Sequence, residues 1–178
     1  MYNQLGALSP LDGRYSNSVI ELNAYFSEAA LIRYRIYVEV EYLIALSKQK
    51  ELEALPVLNE KHQNELRKIY KNFDLKSAKQ VKEIESETNH DVKAIEYYIQ
   101  RNCNSRFHPW IHFALTSEDI NNISYSLMWC HALEQAYLPI LKKLHGKLKK
   151  LAIKHKTLAM LSLTHGQPAT PTTFGKEL

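Results

Sequence analysis

An all-α fold is predicted, with an N-terminal helical domain followed by one long helix that calls for bundle partners. Three observations predict it. Gly and Pro are scarce, at 5 and 6 of 178 residues, so long stretches run without a breaker. Apolar residues recur at spacings of three to five through most segments. One stripe, Ile120, Ile123, Leu127, Cys130, Leu133, Tyr137, Leu141, Leu144, Leu148 and Leu151, is long enough for roughly nine helical turns.

In chain order, Met1 to Ser18 is punctuated rather than periodic, with Pro10 and Asp12-Gly13 marking a turn. Phe26, Ala30, Tyr34, Tyr37, Tyr42 and Leu46 then predict a long helix that starts near Leu22 and ends near Lys50. Pro56 falls in a connector. Leu66, Ile69 and Phe73 give an apolar side to a second helix from about Asn59 to Asn72, and Asp74 reads as the N-cap of a third reaching about Ser86. Val92, Ile95 and Ile99 predict a helix after Asn89-His90-Asp91. Asn102 to Pro109 reads as a loop, and Trp110 to Leu115 is too short to assign. Pro139 should kink the long helix by removing the bond to the Gln135 carbonyl. Thr164 to Thr173, polar and holding Gly166, Pro168 and Pro171, reads as a loop. The domains are drawn at residues 1–110 and 111–178.

Composition narrows the function classes. Hydrophobic residues at 45% suffice for a packed core, and charged residues at 24% are ordinary for a soluble protein. The net charge of +4 suits an anionic substrate but is too small to argue for nucleic acid. Cys103 and Cys130 form no C-x-x-C pair and read as reduced thiols of a reducing, cytoplasmic compartment. The start of the chain has no signal-peptide pattern, and no apolar run approaches a membrane span.

Four constellations carry chemistry. Arg14-Tyr15 follows the Asp12-Gly13 turn, where a guanidinium fork and a phenol can grip a phosphate; the plain alternative is a surface Arg beside a half-buried Tyr. Asn89-His90-Asp91 opens a helix. Such a place is often only a cap, yet its free N–H groups and dipole favour an anion, with the His as donor or proton carrier. Thr116-Ser117-Glu118-Asp119 resembles a capping box with Asp as its last member, and its remaining donors suit a carboxylate. Thr164-His165-Gly166-Gln167 offers an acid–base His and an amide beside a Gly that admits a ligand. His108 and His112 are spaced for a metal, but Pro109 intervenes and no further ligand completes a set, so no metal is assigned. Lys142 to Lys156 is a basic amphipathic helix, either a partner or membrane surface or simply the solvated side of a bundle helix.

The order of these blocks is more specific than any one of them. Ser9-Pro10-Leu11-Asp12-Gly13-Arg14-Tyr15, then Asn89-His90-Asp91-Val92-Lys93-Ala94, then His112-Phe113-Ala114-Leu115-Thr116-Ser117-Glu118-Asp119-Ile120-Asn121-Asn122, then Thr164-His165-Gly166-Gln167-Pro168-Ala169-Thr170-Pro171 resembles the adenylosuccinate lyases of bacterial type, in the fumarase and aspartase superfamily. The resemblance implies a helical homotetramer with a central helix bundle, here represented by its first long helix. It implies β-elimination of fumarate from adenylosuccinate and from the succinyl-carboxamide ribotide of purine synthesis, with no metal or organic cofactor. By the same resemblance Arg14 and Tyr15 hold the nucleotide, and Asn89, His90 and Asp91 line its site. Thr116 and Ser117 bind the succinyl carboxylates, His165 is the general acid, and Gln167 contacts substrate.

The family places its base, a Ser, on a flexible loop that this chain does not contain. The expectation is therefore an N-terminal fragment, inactive alone, of an active cytoplasmic enzyme that binds neither nucleic acid nor membrane. The rivals are another lyase of the superfamily and a non-catalytic helical module acting through its basic helix.

Overall fold

The structure is a computed structural model that describes residues 7–178. The opening stretch read for a signal peptide lies partly outside the described residues, at positions 1–6. The described residues form two compact units that divide between Ala132 and Leu133.

In the first unit the expected turn forms, with the amides of Asp12 and Gly13 both donating to the Ser9 carbonyl at 3.1 Å. Two 3-10 turns, Ser16–Ser18 and Ile20–Leu22, lead into the short helix α1, Asn23–Phe26. The predicted first helix is thus broken at Ser27, whose side chain caps α2, Glu28–Leu46, by accepting from the Ala30 amide at 3.1 Å. Asn59 caps α3, Glu60–Lys71, and Asp74 caps α4, Leu75–Thr88, as its sequence position predicts. Then come α5, Asp91–Arg101, a 3-10 turn Ser105–Trp110, and α6, Ser117–Ala132.

The core gathers Ile36, Val40 and Leu43 of α2 with Leu66 of α3, Val81 and Ile84 of α4, and Ile95 and Ile99 of α5. Helix α2 lies in the middle and is buried on nearly every side, which is why its sequence shows little one-sided periodicity. Of the row Phe26, Ala30, Tyr34, Tyr37, Tyr42 and Leu46 singled out from sequence, Ala30 and Tyr34 are buried and the other four are exposed or half-buried. Helix α6 carries a second correction. It buries Ile120, Ser124, Met128 and Ala132, and Met128 packs on Ala30 and Tyr34 of α2. The buried positions recur every four residues, one face of the helix, but two of them, Ser124 and Ala132, are small, and a count of large apolar residues overlooks them. Beyond Ile120 the long stripe read from sequence is mostly the outer face, with Leu141, Leu144, Leu148 and Leu151 at 40–52% exposure.

The second unit starts with a π-helical turn, Leu133–Tyr137, and continues as α7, Leu138–Lys154. Pro139 sits in the first turn of α7, where a missing N–H matters least, so the irregularity is a π turn before the proline rather than a kink within a regular helix. The stretch from Thr164 to Thr173 is no loop. Strands β1, Ala159–Thr164, and β2, Gln167–Thr173, pair antiparallel. Pro168 and Pro171 are accommodated because a two-stranded ribbon has free edges and because β2 has one extra residue between Pro168 and Pro171, opposite the Leu161–Leu163 step. Helix α8, Phe174–Glu177, returns onto α7. A Cβ at Gly175 would collide with the Ala152 carbonyl, so glycine is what permits this contact.

Candidate active site

Three residues on one face of α2, Arg35, Glu39 and Tyr42, hold three of the segments singled out from sequence. Their spacing of four and three places them along one side of the helix. The buried Arg35 guanidinium donates through Nε to Asn121 Oδ1 at 3.0 Å and pairs through Nη2 with Asp91 Oδ2 at 2.8 Å. Both carboxylate oxygens of buried Glu39 accept from one residue, from the His112 amide at 3.2 Å and from its Nδ1 at 2.5 Å. The Tyr42 hydroxyl donates to the Phe113 carbonyl at 2.9 Å. Sequence reasoning passed over Arg35 and Glu39 and treated His112 only as a metal candidate. The signal available was two charges one turn apart among large apolar residues, each needing a partner, since charges are rarely buried unless paired.

At the start of α5, Asn89 ends α4 in a left-handed conformation with φ of 50°. The cap of α5 is His90, not Asn89 or Asp91. Its Nδ1 accepts from the Lys93 amide at 3.1 Å, so the proton of the neutral ring resides on Nε2, which faces outward as a donor. Asp91 accepts from the Val92 amide at 2.9 Å. Burial opposes its ionisation, but the Arg35 charge and these hydrogen bonds outweigh it and leave its carboxyl below the usual range. A cleft of about 590 Å³ opens here, lined by Lys82, Glu85, Ser86, Asn89, His90 and Asp91. Lys82 is bonded to Glu28 at 2.7 Å and to Glu85 at 2.8 Å, so a donor this lining leaves for an anionic group is the His90 imidazole N–H at the helix N-terminus.

At the start of α6 the capping box forms with Asp in the last place. The Thr116 amide and hydroxyl donate to Asp119 Oδ2 at 2.7 and 2.9 Å, and the Asp119 amide returns a bond to Thr116 Oγ1 at 3.4 Å. The Thr116 hydroxyl is committed to the cap. Ser117, half-buried beside it, makes no side-chain hydrogen bond among the described residues. The Asn121 amide extends the Arg35 contact by donating to Glu118 Oε1 at 2.9 Å.

His112 stands on a backbone with φ of 61°, and Ala114 follows at 58°. The hydrogen bond that the His112 ring donates to Glu39, against the opposing effect of burial, holds the His112 pKa above its usual value. Among the described residues no three His, Cys, Asp or Glu side chains cluster as metal ligands. Burial pushes the Cys103 thiol up to about 11, which leaves it a poor nucleophile.

The other expected residues belong to other segments. Arg14 stacks its guanidinium over the Tyr15 ring at 5.6 Å and makes no hydrogen bond to α5 or α6 among the described residues. His165 and Gln167 belong to the second unit. His165 and Gly166 are the two turn residues of the hairpin, with φ of 54° and 74°, the left-handed pair that a tight type I′ turn requires. His165 is exposed at its tip.

Comparison with known proteins identifies the family. Residues 13–178 match a family model described as Lyase. Over 98% of its length this chain is 45% identical to an adenylosuccinate lyase of Legionella pneumophila, covering 39% of that protein. Over 99% it is 46% identical to an adenylosuccinate lyase of Dictyostelium discoideum, covering 40%. The chain therefore spans about two-fifths of the length of these curated relatives. The crystal structure of a fumarate lyase from Mesorhizobium superposes with a TM-score of 0.68 at 18% identity, over 89% of this chain and 35% of that one. A muconate cycloisomerase from Acinetobacter calcoaceticus gives 0.64 at 17%, over 89% and 36%. These two likenesses establish the shared helical fold, and with the family match over nearly its whole length the chain belongs to the Lyase family.

Proposed function

We propose that this chain is the N-terminal portion of an adenylosuccinate lyase, which eliminates fumarate from adenylosuccinate and from the succinyl-carboxamide ribotide of purine synthesis. The observation that carries the reading is sequence identity of 45% and 46% to proteins of that name, sustained over 98% and 99% of the chain. The fold does not discriminate, because a cycloisomerase shares it. The arrangement at the two helix starts supports the reading. A substrate with a phosphate and two carboxylates needs several donor sites, and the chain offers them at the starts of α5 and α6 and on Arg14.

In this reading the outward Nε2–H of His90, with Asn89 and Asp91 beside it, lines the nucleotide site. Arg14 and Tyr15 grip the phosphate. Ser117, with the N-terminal amides of α6 fixed by Thr116, binds a succinyl carboxylate. That carboxylate accumulates negative charge when the neighbouring carbon loses its proton, so preorganised donors lower the barrier. His165 protonates the departing nitrogen, and Gln167 orients the substrate. The base is the Ser that the resemblance assigns to a loop outside these residues. The complete enzyme is a cytoplasmic homotetramer in which residues 1–110 form the N-terminal domain and residues 111–178 begin the central bundle. No helix among the described residues is long and apolar enough to cross a membrane.

The test is fumarate release by a chain of the relatives' length carrying these residues, offered adenylosuccinate, argininosuccinate, aspartate and malate in parallel. Fumarate and AMP from adenylosuccinate alone are expected. Preference for another substrate would move the protein to a different member of the superfamily, and no turnover of any would return it to the interaction-module reading.

A further inference from the structure

We propose that Arg35 is a positioning residue of the site, setting the start of α5 against the start of α6. Its guanidinium is 7% exposed at the side-chain level, and its two bonds run to different helices. One reaches Asp91, the first residue of α5 and neighbour of the cap His90. The other reaches Asn121, whose own amide continues to Glu118 in the first turn of α6. A single rigid, planar fork therefore measures the separation of the two helix starts. A lysine could satisfy one arm but not both with fixed angles.

Burying an ion is costly, and replacing a buried pair with apolar side chains of like volume is often neutral or stabilising. Stability alone is thus a weak reason for a buried arginine, whereas a fixed distance between two donor-bearing helix starts is a sufficient one. Asp91, half exposed, can be resolvated when Arg35 is removed, and a methionine fills much the same volume as the arginine stem. Loss of the arginine should accordingly spare the fold and loosen the two helix starts.

The kinetic part of this inference rests on the lyase reading; the local-order part does not. The test uses the chain of the relatives' length with Arg35→Met, Arg35→Lys, Asp91→Asn and the double Arg35→Met/Asp91→Asn. Arg67→Met, which breaks the Arg67–Glu41 pair between α3 and α2, is the control for a purely structural arginine. Amide exchange at Val92 and Lys93 should rise about tenfold or more in Arg35→Met while Tyr98 and Ile99 stay protected. Turnover, kcat/KM, should fall about a hundredfold, the scale of a misplacement of roughly 1 Å. Arg35→Lys should recover only part of it. The double variant should be no worse than the poorer single one, because both cut the same link. Arg67→Met should lower the melting temperature and leave kcat/KM within a factor of about two.

Unchanged exchange at Val92 and Lys93 overturns the proposal. So does loosened exchange with wild-type kinetics, or a loss of turnover that Arg67→Met matches. If the wild-type chain turns over no substrate, the lyase reading falls and the exchange result alone decides whether Arg35 sets the helix starts.

Discussion

Replacing Glu39 by Gln should weaken the fold in a pH-dependent way. Glu39 is 2% exposed, and its carboxylate accepts both the amide and the Nδ1 proton of His112. A glutamine keeps the shape but offers one neutral acceptor, and its NH2 faces a donor it cannot satisfy. Hydrogen bonds to charged groups contribute roughly 1.5–3 kcal/mol each and neutral ones about 1, while breaking one side of a buried pair costs about 3–5 kcal/mol. A loss of about 2–4 kcal/mol follows where His112 is charged. Glu39 raises the His112 pKa above its usual 6.5, with Glu96 adding to the effect and burial and Lys93 opposing it. The folded state therefore binds the proton more tightly than the unfolded one. That stabilisation is complete below about 6.5 and fades as the pH rises through the raised value. Urea denaturation followed by far-ultraviolet circular dichroism at pH 6 and pH 9 measures it. With a slope of about 1–3 kcal/mol per molar urea, the midpoint should fall by about 1–2 M at pH 6 and by clearly less at pH 9. Equal shifts at both values would show that His112 does not titrate between them and would refute the pH dependence, and no shift at pH 6 would show that the pair holds nothing.

Three further outcomes are expected. In a chain of the relatives' length, His165→Ala should lower kcat by about a hundredfold to ten-thousandfold with substrate affinity largely kept; turnover within a factor of a few of wild type would remove His165 from its role. Arg14→Lys should weaken nucleotide binding in calorimetry without altering the helical spectrum, since a point charge replaces a fork; unchanged affinity would leave Arg14 a surface residue stacked on Tyr15. Gly175→Ala should release α8 from α7, because its Cβ meets the Ala152 carbonyl, and amide exchange at Phe174 and Gly175 should accelerate while β1 and β2 stay protected.

What was legible in the sequence was what local chemistry dictates. Asp74 announces α4, and Thr116 with Asp119 announces α6, because caps are short-range hydrogen bonds between near neighbours. The faces were harder. Helix α2 is enclosed by its neighbours, so no periodicity marks an inside, and α6 turns Ser124 and Ala132 inward where large residues were sought. The hairpin was hidden by Pro168 and Pro171, which count against a central strand but not against a two-stranded ribbon with a bulge. Of the candidate site, the blocks were visible and their supports were not. Arg35 and Asn121 are 86 positions apart and Glu39 and His112 are 73 apart, and no local pattern encodes such a contact.

The backbone supplies an argument that separates a functional block from a mere cap. Among the described residues, the non-glycine positions with positive φ are Asn89, His112, Ala114 and His165. Each lies inside one of the ordered blocks read from sequence, and none falls in the many other turns of the chain. Asn tolerates the left-handed region and commonly ends a helix there, so Asn89 alone would mean little. His shares some of that tolerance and Ala has none; a non-glycine residue there still costs of order 1–3 kcal/mol and persists only when its surroundings impose it. For His112 the imposing groups are visible, since Glu39 grips both its amide and its ring while Tyr42 holds the next carbonyl. For His165 it is the turn itself, closed between Thr164 and Gln167. A cap needs no strained histidine. A site that must present an imidazole at a fixed place does, and stabilisation from the surrounding fold then offsets a backbone that is unfavourable on its own. The helix end accounts for Asn89 and the hairpin turn for His165, which leaves His112 and Ala114 as the positions whose backbone is held by long-range contacts.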